Sequence, residues 1–157
     1  MSTATKTVVK ATWPTAKTQA EAAHAAASQC AAAFGVLSKL GEQAVADYKA
    51  AARKLRVAHL KEQGVKTPLE LVTAMAEFEA NVFGSQIEIV GDEKSATLDY
   101  KTCAMWEAMQ KVTNMTPAEQ EQMGKGMQTC MQDLAHEFGL KADVQMAEKT
   151  CTVTFTK

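Results

Sequence analysis

Four cysteines, Cys30, Cys103, Cys130 and Cys151, are the residues of this chain best suited to nucleophilic or metal-binding work. A thiolate is both the nucleophile and the soft-metal ligand. Cys103 closes an alternating segment and opens a helical one. A thiol at a helix N-terminus meets the positive end of the dipole, which favours the thiolate, and Lys101 stands close by. Cys130 belongs to a helical stripe with Met123, Met127, Leu134 and Phe138, near the edge of the apolar face. Asp133 lies one turn further on, and His136 roughly shares that flank. Cys151 alternates with Val153 and Phe155, which turns it inward from a strand.

Three of the four thiols therefore point toward one helix–sheet interface. Cys103, Cys130 and Cys151 there would suit Zn²⁺, with Asp133, His136 or water as the fourth ligand. Alternatively, Cys103 is a nucleophile and Asp133 or His136 moves the proton. The third reading is an ordinary core, since buried cysteine behaves as a small hydrophobe. Cys30 reads as part of an alanine-rich helix, and His24 and His59 as solvated helix residues. The methionines recur at helical spacing (Met105/Met109, Met123/Met127), which points to packing rather than to a copper-transport segment. The sequence has no phosphate loop, no nucleophile elbow and no HExxH motif.

The elements that must position these residues follow from local signals. Residues 1–16 read as an extended arm holding Trp13 and Pro14. Residues 17–64 are alanine-rich and proline-free, hence helical, with Gly35 and Gly41 as points of kink or break. Thr67-Pro68-Leu69-Glu70 is a capping box that starts a helix running to Phe83. Gln86–Val90 and Ser95–Lys101 alternate as a hairpin around Gly91-Asp92-Glu93-Lys94. A short helix spans Cys103–Val112. Thr116-Pro117-Ala118-Glu119 is a second capping box, opening a helix that ends at Phe138 before Gly139. Lys141–Glu148 and Thr150–Thr156 form two further strands. This order predicts an α+β fold: long N-terminal helices, then two β-hairpins in an antiparallel sheet of about four strands, with helices on one face.

At 157 residues the chain fits one domain, residues 17–157, with a helical region (17–64) and a cysteine-bearing core (65–157). A net charge of −1 with scattered basic residues argues against nucleic acid or an anionic membrane surface as partner. No apolar stretch approaches the ~20 residues of a membrane span. The N-terminus lacks the apolar run of a secretory signal, so the expectation is a cytoplasmic protein with reduced thiols.

Three short stretches carry a family resemblance: Leu98-Asp99-Tyr100-Lys101-Thr102-Cys103, Cys130-Met131-Gln132-Asp133 and Cys151-Thr152-Val153-Thr154-Phe155. Together they resemble the L-2-amino-thiazoline-4-carboxylic acid hydrolase family and, more distantly, the vinyl-reductase (4VR-like) ligand-binding domains. The likeness covers about residues 65–157. Ala104 stands where such families often carry Pro, and Lys149-Thr150 where they often carry Gly. The resemblance implies a cysteine-lined site more than a particular reaction. It leaves two functional expectations. One is a domain that binds a metal or small ligand, extended to hydrolysis of a small C–N or C–S heterocycle. The other is a non-catalytic accessory subunit, docking a protein partner or a second copy through the Trp13 arm and the long helix.

Overall fold

The computed structural model describes residues 11–147 and 150–157. Most of the expected arm, residues 1–10, lies outside the described residues. Residues 11–14 carry no regular structure, and helix α1 (Thr15–Leu40) starts on Pro14. Trp13 is largely exposed, and the Lys17 ammonium sits 4.4 Å from its ring centroid. The helical region divides at Gly41, whose φ of +104° suits glycine alone. Helix α2 (Glu42–Glu62) follows. Gly35 leaves α1 unbroken.

Helix α3 (Pro68–Phe78) begins on the expected capping box, with the Thr67 hydroxyl accepting from the Glu70 N–H. It does not stay α-helical to Phe83. Glu79–Phe83 form a π-helical turn before the chain enters strand β1 (Gln86–Gly91). Strand β2 (Ser95–Thr102) leads through Cys103 into α4 (Ala104–Thr113). Helix α5 (Pro117–Glu137) starts on the second capping box. Strands β3 (Lys141–Met146) and β4 (Cys151–Thr156) close the chain.

The sheet is antiparallel throughout, in the order β1-β2-β4-β3. The two hairpins thus meet through β2 and β4. Their register sets Ala96 opposite Phe155, Leu98 opposite Val153 and Tyr100 opposite Cys151. All six of these residues are buried. They join Leu71, Val72 and Met75 of α3, and Leu134 and Ala135 of α5, in the main core. Each large side chain fully buried there contributes about 1.5–3 kcal/mol. The opposite face of the sheet is polar. Thr97 and Thr154 share a hydrogen bond of 2.9 Å, and Thr152 donates to Asp99 at 3.1 Å. A second, smaller core lets α1 and α4 approach closely through Ala23, Ala27, Ala108 and Met109.

Candidate functional site

Cys103 ends β2 and is the N-cap residue of α4. The backbone N–H groups of Trp106 and Met105 lie near its sulfur and favour the thiolate, although they make no cap hydrogen bond to it. Burial opposes them and prevails, so the thiol titrates above its ordinary value, with the charges of Glu79 and Glu107 adding to the rise. Lys101 does not act on Cys103, because its ammonium is held by carboxylates on the polar face of the sheet. The Lys101 ammonium lies on Asp99 at 2.6 Å and Glu88 at 3.2 Å.

Cys151 sits across the ladder from Tyr100 and is buried. Its thiol is pushed up to about 11, by burial first and then by the negative charges of Cys103 and Asp99. Burial likewise pushes the Tyr100 hydroxyl well above its ordinary value. Cys103 and Cys151 share the wall of one small cavity, about 40 Å³. Tyr100, Trp106, Met127 and Met146 complete most of that wall, with Ala147 and Thr150 of the β3–β4 turn. Ala147, Thr150 and Met146 are exposed.

The other expected site residues stand elsewhere. Cys130 is half-buried and does not line the cavity. Asp133 accepts from the Arg53 guanidinium at 2.6 Å, which ties α5 to α2. His136 is exposed. The helical period explains this. At about 100° per residue, His136 lies roughly 180° around α5 from Met127, which lines the cavity. Among the described residues, no group of three or more His, Cys, Asp or Glu is placed to hold a metal ion. Zn²⁺ takes four ligands, usually N and S. The Cys103–Cys151 pair has no third Cys, His, Asp or Glu beside it among the described residues, so the expected Cys103–Cys130–Cys151 set is not assembled.

A polar link behind Cys103 is absent from the sequence reading. Ser85 is the one buried polar residue among those described. Its hydroxyl donates to Glu79 Oε2 at 3.1 Å and accepts from the Ala104 N–H at 3.1 Å. Cys103 gives α4 no side-chain cap, so Ser85 supplies one from across the fold. Glu79 belongs to the π-helical turn, a distortion often found at functional sites. Burial pushes its carboxyl up, against the pull of Ser85 and the Arg56 guanidinium. The only sequence signal for this link was the Phe83-Gly84-Ser85 exit from the helix.

A wider concavity, about 450 Å³, is a groove between α1 and α4. Alanines form much of its floor, and His24, Glu107 and Lys111 stand on its walls. It holds neither thiol, and the clustered chemistry lies at the smaller cavity. No protein-family model matches the chain, and no curated protein matches it. Among the described residues, no helix is long and apolar enough to cross a membrane.

Proposed function

We propose that this protein is a binding domain that holds one very small occupant, a metal ion or a ligand of a few atoms, between Cys103 and Cys151. The observation that carries this reading is the shared wall of a 40 Å³ cavity. Pockets for drug-sized molecules run about 300–1,000 Å³. Both thiols titrate above their ordinary values, which argues against a poised nucleophile, and a bound cation would have to displace their protons. Asp133 is engaged by Arg53 and His136 is exposed, so neither stands as a general base beside Cys103. Hydrolysis of a thiazoline-like ring, implied by the family resemblance, is the weaker reading on these grounds.

An accessory role is compatible with binding. Val36, Leu40 and Leu55 expose apolar side chains on α1 and α2, a surface suited to a protein partner. The deciding experiment is native mass spectrometry of anaerobically purified protein, wild type beside Cys103→Ser and Cys151→Ser. A mass retained by the wild type and lost in both variants supports binding. Thiol-dependent turnover of a 2-aminothiazoline carboxylate, with no retained mass, would replace binding with catalysis.

A further inference from the structure

We infer that the occupant of the Cys103–Cys151 cavity is a single copper(I) ion, held by two thiolates and by the thioethers of Met127 and Met146. This rests on the binding reading above and names its ligand. Four sulfur-bearing side chains from separate elements converge on one cavity: Cys103 at the β2–α4 junction, Cys151 on β4, Met127 on α5 and Met146 on β3. Met146 reaches α5, because its methyl group would lie 3.7 Å from a side chain added at Gly124, one turn before Met127. Among the described residues, the wall offers no imidazole and no carboxylate.

Thiolate and thioether are the donors that select copper(I), whereas Ca²⁺ and Mg²⁺ require oxygen. The volume fits an ion. A cavity of about 10–15 Å³ by this measure admits one water, so 40 Å³ leaves little room for an organic ligand. Well-packed interiors contain few voids. A sulfur-lined void is therefore a feature that plain core packing does not require. Binding replaces two S–H protons with one Cu⁺, giving a bis-thiolate complex of net charge −1 and two released protons. The backbone N–H groups of Trp106 and Met105, at the start of α4 beside the Cys103 sulfur, offset part of that charge. Trp106 on the cavity wall supplies a spectroscopic reporter.

The test is anaerobic titration of the full chain with copper(I) against a chromogenic copper(I) chelator, reading stoichiometry, affinity and indole fluorescence. The expected result is one tight copper per chain with quenched Trp106 emission. Because loss of groups that only support a ligand costs about 10–100-fold in affinity, loss of the Cys151 thiol in Cys151→Ser should cost more than about 100-fold. Met127→Leu with Met146→Leu nearly conserves volume, keeps the fold and should weaken copper at least about tenfold. Cys30→Ser and Cys130→Ser should leave affinity unchanged. Unchanged affinity in Cys151→Ser, or in the double methionine variant, would overturn the assignment. If Cys151→Ser fails to fold, the methionine pair alone decides. A retained mass of zinc or of an organic molecule, dependent on both cysteines, would overturn copper and leave the binding reading standing. No retained mass and no thiol-dependent copper would remove both.

Discussion

Ser85→Ala is the sharpest probe of the polar link behind Cys103. The hydroxyl makes two bonds, accepting from the Ala104 N–H and donating to the Glu79 carboxylate, both at 3.1 Å, in a residue only 4% exposed. Loss of a buried partner costs about 1–3 kcal/mol, and a bond to a charged group stands at the upper end. With partial relaxation the expected loss is about 2–4 kcal/mol at neutral pH. For a domain of this size that lowers Tm by roughly 5–15 °C. The loss must also depend on pH. Burial holds Glu79 above its ordinary value of 4.5, and the Ser85 bond pulls it back down. A carboxyl with a raised folded pKa stabilises the fold fully below the unfolded value, and that contribution fades as pH rises through the folded value. Without Ser85 the folded pKa rises further, so the variant suffers most at neutral pH and less below pH 4.5. Urea unfolding at pH 4 and pH 7.5, with Glu79→Gln as a second background, measures both parts. A loss under about 1 kcal/mol that is equal at the two pH values would refute the reasoning, because it would mean that water replaces the hydroxyl.

Three further outcomes are expected. Burial holds the Cys151 thiol near 11 instead of its ordinary 9.0, so unfolding free energy should fall as pH rises from 9 to 11, and Cys151→Ala should flatten that slope. Gly91→Ala should destabilise by more than about 1–3 kcal/mol in urea melts, since φ is +147° and an added Cβ would strike Ser95 and Ala96. Arg53→Ala removes contacts to Asp133 at 2.6 Å and Glu137 at 3.7 Å, on partly exposed side chains. It should cost about 1 kcal/mol or less, and less again in high salt, in denaturation at two ionic strengths.

The elements most legible in the sequence were those fixed by local chemistry. Both capping boxes appear where Thr67/Glu70 and Thr116/Glu119 predicted them, because the same few residues supply both donor and acceptor. The strands followed their alternation, and the α+β class with a four-stranded antiparallel sheet followed from the element order. The π-helical turn was hidden, since Glu79–Phe83 has good helical composition and its distortion serves contacts made at long range. Gln19 of α1 donates to the carbonyls of Ala80 and Asn81, a partner sixty residues away that no local pattern encodes. At the site, inward alternation placed Cys151 correctly. Sequence proximity overreached for Asp133 and His136, which lie near Cys130 along α5 but progressively around its circumference. Met127 read as packing because a stripe does not reveal what a side chain meets from other elements.

The site depends less on any one motif than on a register. Tyr100 and Cys151 face the same side because β2 and β4 pair with Leu98 against Val153. A slip of one residue would turn Cys151 and Phe155 to the polar face and set Thr152 and Thr154 inward, at a cost spread over the whole main core. Cys103 is bound to the same choice, since it follows β2 directly and α4 starts where that strand stops. The apolar side chains that stabilise the sheet thus also decide that two thiols meet. Ser85, just before β1 and beside the end of β2, accepts from the first N–H of α4. Folding and site assembly are one event here. A variant that loosens the β2–β4 pairing should therefore expose Cys103 and Cys151 to alkylation together, whereas one that disturbs only α5 should uncover Cys130 first.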